Sequence, residues 1–285
     1  MKPKISSKDN VLTVKFSGIS SGWEQWFLLS ADRHHDNIYC DRQLEKKHLD
    51  QAKERNAYIL DFGDLFCAMQ GKFDKRKSYD DIRPEDVGDD YFDRIVRHAA
   101  EFYAPYAKQF LLIGKGNHES KVLKHNSTCL PSQLVDKLNY KYGGSVYNGG
   151  YGGWVEFKFV VNKTKRKSLH LKYHHGAGGG GPVTKGVIQA NRQGVYLPDA
   201  DIVVNGHTHD SWVLPIARER LRAGVIGRDL CWFVRTPGYK NEYNDGSGGF
   251  AVEKWMPPKP LGATWLRFYY ERNDLIRSEC IQAVT

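Results

Sequence analysis

The chain has 285 residues, 40% of them hydrophobic and 13% aromatic, which is enough to bury a core and excludes a disordered polymer. Its formal charge is +9. Residues 151–285 hold 19 Lys+Arg against 12 Asp+Glu, a net of +7 that leaves +2 for residues 1–150. A basic half suits an anionic partner, and nucleic acid is the commonest large one. With no apolar leader and no run of about 18 apolar residues, a soluble, unexported, cytoplasmic chain with no membrane association is expected. Five scattered cysteines, without a C-x-x-C pair, exclude a disulfide framework or a thiolate zinc cluster.

In chain order, five segments share one grammar, an apolar run followed by a polar cluster. They are "EQWFLLSADRHHD" (24–36), "NAYILDFGD" (56–64), "KQFLLIGKGNHE" (108–119), "SLHLKYHHG" (168–176) and "ADIVVNGHTH" (200–209). Short apolar runs bounded by Gly and Asp predict buried strands. Helical stripes lie between them. Leu44, His48 and Ala52 share a face in 41–56, as do Phe92, Val96 and Ala100 in 89–107, and Leu134, Val135 and Leu138 in 131–142. A further helix is expected over 182–195, after a glycine run. Residues 153–175 alternate on either side of a Lys-rich turn and predict a β-hairpin, and 229–243 and 264–284 are strand-like. The stretches 71–90 and 244–250 are the most flexible by composition. Alternating strands and helices imply βα units, whose ligands gather at the carboxyl ends of the strands. No repeat or linker divides the chain, so a single domain over 1–285 is expected. Its motif core spans about 24–210, and a strand-rich part over 211–285 completes it.

The polar clusters carry metal-ligand chemistry. Asp32 and His34, and likewise His207 and His209, are alternate residues that can point the same way; Gly63 lets the chain turn at Asp64; Asn117 and His118 sit together; His175 precedes Gly176. Carboxylate, imidazole and amide oxygen together suit zinc, manganese or iron(II) better than calcium. Asp32, His34, Asp64, Asn117, His175, His207 and His209 are too many donors for one ion, and fit two ions about 3.5–4 Å apart that share a carboxylate.

The ordered set Asp32-x-His34, Gly63-Asp64, Gly116-Asn117-His118-Glu119, His175-Gly176 and Gly206-His207-x-His209 resembles the calcineurin-like metallophosphoesterase superfamily over residues 24–210. The resemblance implies an α/β fold, a four-layer α/β/β/α sandwich with a dinuclear metal centre at one sheet edge. It implies that Asp32, His34, Asp64 and His209 hold one ion, and that Asp64, as the bridge, holds the second with Asn117, His175 and His207. It also implies two divalent ions, Mn2+ first and Zn2+, Fe2+ or Ni2+ as alternatives, and in-line attack on phosphorus by a bridging hydroxide. His118 is no ligand in that pattern but a general acid or hydrogen-bond donor at the leaving oxygen. The pattern favours His175 over His174 as ligand and leaves His174 to orient a ligand or to contact substrate. Many members carry another Asp shortly after Gly-Asp, where this chain has Cys67.

Arg33 and Lys115 flank metal ligands and are candidates to receive a phosphate oxygen, and the glycines after His175 allow close approach of backbone to phosphate. The tip "NKTKRKS" of the hairpin lies eight residues from His175, roughly 26 Å of strand, so it could grip only a long polymer. The expected activity is therefore that of a metal-dependent phosphodiesterase or nuclease on nucleic acid, resembling the nuclease subunit of double-strand-break repair complexes without its capping domain. The alternative is a phosphomonoesterase or cyclic-nucleotide phosphodiesterase acting on a small molecule or phosphoprotein. A scaffold that has lost catalysis is a third reading, disfavoured because no ligand is missing. The compact shape also resembles stand-alone phosphoesterases of phages and prophages, which would place the protein in the host cytoplasm.

Overall fold

The computed structural model describes residues 2–70, 81–179, 181, 183–248, 250–273 and 275–285. Two sheets face each other. One runs β1-β2-β7-β8-β9-β11-β10 and the other β13-β12-β3-β4-β5-β6. The first is built from β1 (Lys4–Lys8), β2 (Val11–Ser17), β7 (Gly152–Val160), β8 (Arg166–His174), β9 (Ile202–Asn205), β10 (Trp212–Arg222) and β11 (Val225–Arg235). The second holds β3 (Glu24–Ser30), β4 (Tyr58–Asp61), β5 (Phe110–Ile113), β6 (Tyr147–Asn148), β12 (Gly262–Glu271) and β13 (Leu275–Val284). The C-terminal strands thus enter both sheets.

Alternation along the strands decides which faces meet. In β7 every second residue is buried, and Val155, Phe157 and Phe159 join Leu171, Tyr173, Phe27, Leu29 and Phe268 in the layer between the sheets. Phe157 and Phe268 lie edge to face with centroids 4.8 Å apart, a contact worth about 0.5–1.5 kcal/mol beyond its area. The outer face of the second sheet packs on α1 (Arg42–Glu54), α2 (Tyr91–Tyr103) and α4 (Leu130–Tyr140) through Leu49, Val96, Leu134 and Leu138. The outer face of the first meets α5 (Val187–Tyr196) through Ala190, Val203 and Phe233. The order of layers is helix, sheet, sheet, helix, as expected.

Some elements go beyond the sequence reading. The segment after β5, to which the sequence reading gave no element, forms α3 (Asn117–Asn126), which begins on a candidate ligand. Strands β1 and β2, for which the sequence reading gave no strand, and β10, inside the part expected to be strand-rich, bring the first sheet to seven strands. Of the stretch expected to be flexible, residues 71–80 lie outside the described residues, and 84–86 form a 3-10 turn. The remaining helix, α6, is a single turn at Phe250–Glu253. No helix among the described residues is long and apolar enough to cross a membrane.

Candidate metal centre

The ligand-bearing loops follow β3, β4, β5, β8 and β9. Within each sheet these strands are parallel, so their carboxyl ends fall on one edge. Backbone hydrogen bonds sew the loops together. Asp32 N–H donates to Gly63 O at 2.9 Å, His34 N–H to Asp64 O at 3.1 Å, and Gly206 N–H to His175 O at 2.8 Å. Space at the junctions is so short that a Cβ on Gly116 would lie 2.0 Å from Asp64 Oδ1, and one on Gly206 2.5 Å from Asp32 Oδ2. Asp32, His34, Asp64, His207 and His209 all have positive φ, between 46° and 76°. Left-handed backbone disfavours residues with a side chain, at about 1 kcal/mol or more each, and such strain collects at functional sites.

The side chains form two adjoining groups, Asp32 with His34 and His209, and Asp64 with His175 and His207. In the first, His34 Nε2 and His209 Nε2 are 3.3 Å apart and Asp32 Oδ1 is 3.5 Å from His209 Nε2. In the second, His175 Nε2 lies 3.1 Å from Asp64 Oδ2 and 3.2 Å from Asn117 Oδ1, which is also 2.7 Å from His207 Nδ1. Asp32 Oδ1, 3.9 Å from His175 Nε2, stands between the groups. Asp32, His34, Asp64 and His175 are buried to within 2% of full enclosure.

Burial and mutual contact set the charges. Burial, helped by the neighbouring His118 and His209, holds the His34 imidazole well below its ordinary pKa, so it is neutral and has a lone pair to give. For Asp64, burial favours the acid form, but the imidazoles of His118 and His175 overcome it and hold the carboxyl well below its usual range. Burial likewise opposes protonation of His175, and the carboxylate of Asp64 outweighs it, raising the imidazole to about 10. A divalent cation fits this donor set. The buried Asp32 Oδ1 has no hydrogen-bond partner, and convergent imidazole nitrogens and carboxylate oxygens are the ligands that zinc, manganese or iron(II) take.

Each predicted residue has a definite place. The seven expected ligands come together. His118, at the start of α3, donates its backbone N–H to Asp64 Oδ1 at 2.9 Å and places Nε2 3.8 Å from Asp64 Oδ2. His175 is wholly buried in the cluster, whereas His174 is exposed and accepts the Gly176 N–H at 3.0 Å. A cleft of about 250 Å3, lined by His174, Gly176, Gln189, Arg192, Gln193 and Tyr196, opens there. Lys115 is half-buried beside Gly116. Of the glycine run, Gly180 lies outside the described residues.

Arg33 requires a correction. It does not face a substrate. It is fully buried, with Nε on Asp61 Oδ2 at 2.6 Å, Nη1 on Glu45 Oε1 at 2.8 Å and Nη2 on Ser30 Oγ at 2.8 Å. The alternation that turns Asp32 and His34 outward turns Arg33 inward, where it ties β3, β4 and α1 beneath the centre.

Other supports were not read from the sequence. Glu119, fully buried, accepts the N–H groups of Gly116, Phe66 and Asp64 at 2.8, 2.9 and 3.2 Å, clamping two ligand loops at the start of α3. An acidic residue three places after a glycine that ends an apolar run is the available signal. Arg235 donates Nη1–H to Gly206 O at 2.6 Å and had no signal at all. Cys67, the residue that departs from the family pattern, puts Sγ near His34 and His118, but burial raises its pKa so that it stays a thiol.

A four-layer sandwich with ligand loops converging at adjoining strand ends is the arrangement that the sequence resemblance implies. No family model matches the chain, and no curated protein matches it. Among solved structures it is similar to zinc-complexed Vps29 from Entamoeba histolytica, at 12% identity and a TM-score of 0.37, covering 90% of this chain and 98% of that one. It is similar also to a Staphylococcus aureus protein assigned as a 5′-nucleotidase, at 12% identity and a TM-score of 0.43. That alignment covers 92% of this chain and 55% of the larger one. The Plasmodium protein GAP50 is similar at 11% identity and a TM-score of 0.43, covering 90% and 84%. At these scores the likeness is confined to the outline of the fold.

Proposed function

We propose that this protein is a divalent-metal-dependent phosphoester hydrolase. The observation that carries the reading is the convergence of two ligand groups, Asp32–His34–His209 and Asp64–His175–His207, with Asn117 against the second. Asp32, His34, Asp64 and His209 would hold one cation, and Asp64, Asn117, His175 and His207 the other. Such cations supply Lewis acidity, which activates water and neutralises charge on phosphoryl oxygens.

The remaining work belongs to the chain itself. His118 Nε2, on the cluster side of its ring, gives its proton to the leaving oxygen as the phosphorus–oxygen bond breaks, and the imidazolium becomes neutral imidazole. The buried Arg33 and Glu119 networks fix the loops, so no reorganisation is needed during reaction. His174, Arg192 and the glutamines of the adjoining cleft would hold the rest of the ester.

Within that class we favour a diester of nucleic acid, because +7 of the +9 charge lies in the half that completes the site. The test is hydrolysis of bis-p-nitrophenyl phosphate, p-nitrophenyl phosphate, and single- and double-stranded DNA with manganese, beside a metal-free control. Turnover of the diester and of DNA is expected. Turnover of the monoester alone would replace the nuclease reading by a phosphatase. Metal binding without turnover of any substrate would leave a scaffold.

A further inference from the structure

We propose that Asp36 is a positioning residue for His118, acting through the peptide group that joins Cys67 to Ala68. The inference rests on the phosphoesterase reading above, in which His118 gives up a proton from Nε2.

His118 Nδ1 lies 2.6 Å from the carbonyl oxygen of Cys67. A carbonyl only accepts, so Nδ1 carries the hydrogen in this contact, and Nε2 is the nitrogen left facing the cluster. That choice of tautomer holds only while the carbonyl stays aimed at the ring.

Nothing in regular secondary structure holds it there, because residues 65–68 belong to neither helix nor strand. Ala68 even has a φ of +50°, strained for a residue with a Cβ. Asp36 supplies the restraint. Its Oδ2 accepts the Ala68 N–H at 2.8 Å and its Oδ1 the Cys67 N–H at 2.6 Å.

The Ala68 N–H and the Cys67 carbonyl belong to one planar trans peptide and point in opposite directions. Asp36 and His118 therefore grip the two ends of the same group. A carboxylate on the N–H also polarises that peptide, which makes its carbonyl a stronger acceptor for the imidazole. Asp36 is in turn fixed by the Tyr91 hydroxyl, which donates to Oδ2 at 2.7 Å, and it is 2% exposed. Asn37 Nδ2 donates to Cys67 Sγ at 3.3 Å and steadies the same residue from its side chain. Asp36 touches neither the expected substrate position nor the ligands; it acts only by aiming the ring.

The experiment uses Asp36→Asn, which keeps the shape but offers only one acceptor oxygen to two N–H groups. The imidazole tautomer is read by 15N NMR in metal-free protein, with His118→Asn identifying the signal. Wild type should show hydrogen on Nδ1, and Asp36→Asn a mixture. With manganese, kcat should fall about 10–100-fold on an alkyl ester, whose leaving group needs the proton, and less on a p-nitrophenyl ester. KM and metal stoichiometry should not change. Should Asp36→Asn not fold, Tyr91→Phe keeps both N–H bonds but frees the carboxylate, and should move the same readouts less. A folded variant with the wild-type tautomer and leaving-group dependence would overturn the proposal. If His118→Asn itself leaves alkyl-ester turnover intact, the proton-donor reading of His118 fails instead, and the NMR result still decides the role of Asp36.

Discussion

The two ends of the strands are built to opposite rules. At the carboxyl ends of β3, β4, β5, β8 and β9 the ligand positions are tightly held. Asp32, His34, Asp64, His207 and His209 have positive φ, and Asp32, His34, Asp64 and His175 are buried, with the buried Arg33, Glu119 and Arg235 tying the segments that carry them. At the other end the β7–β8 and β10–β11 turns run into solvent. Leu221, Val225 and Ile226 are 75%, 68% and 69% exposed, and Val225–Cys231 extend past the start of β9. The same sheets supply both ends, so strand pairing does not make the difference. One end has to hold charged groups at fixed positions out of water, which takes many mutual constraints, and the other only has to reverse the chain.

That contrast can be broken by substitution. The largest effect is expected at Asp64, whose replacement by Ala should cut phosphoester turnover by at least about 100-fold and lower bound metal, read by kinetics and elemental analysis. Wild-type metal content and rate would separate Asp64 from the centre. Next comes one substitution made at both ends. Gly116→Ala puts a methyl 2.0 Å from Asp64 Oδ1 and should cost about 1–3 kcal/mol, with loss of metal. Gly227→Ala, with nothing within 4 Å, should stay within about 0.5 kcal/mol of wild type. Equal costs in urea titrations would erase the distinction between the ends.

A pH effect should follow at the helix layer. Burial, with Arg33 nearby, lowers the His48 imidazole from 6.5 to about 4. The folded state then binds fewer protons than the unfolded chain between those values, so its contribution is whole above pH 6.5 and vanishes as pH falls through 4. In chelated protein the loss should be roughly 2–3 kcal/mol, and His48→Gln should abolish that part of it. An unchanged pH profile in the variant would assign the loss elsewhere. The smallest effect belongs to the far hairpin. Lys163→Glu with Lys165→Glu should lower DNA affinity by a few-fold and flatten its salt dependence, while small-ester turnover stays unchanged. A large loss of small-ester turnover would contradict the separation of that tip from the centre.

Much of the centre was legible because its residues break the strand grammar in place. A ligand that must leave a buried strand and face a cavity appears as a polar residue just past a glycine that follows an apolar run, as Asp64, Asn117 and His207 do. Arg33 misled because alternation was applied to Asp32 and His34 as ligands but not carried to the residue between them. Asp36 was not legible as a support, since a carboxylate that accepts backbone N–H groups from another loop looks no different in sequence from a solvated one; Arg235 had no signal, and Glu119 had only its place three residues after Gly116. Strand β1 escaped because four of its five residues, KISSK, are polar; β2 does alternate, with Leu12, Val14 and Phe16 buried, but no polar cluster at its end drew attention to it.

By itself the sequence determined the alternation of strands and helices, the order in which ligand types follow strand ends, and the basic excess of the second half. Those are local properties, fixed by side-chain period and by the chemistry of single residues. Only the tertiary structure decided which donors meet, that His175 rather than His174 enters the cluster, that Arg33 points inward, and that Asp36 and His118 hold one peptide from both sides. Such relations join residues that are distant along the chain, and they exist only once packing has fixed the distances between loops.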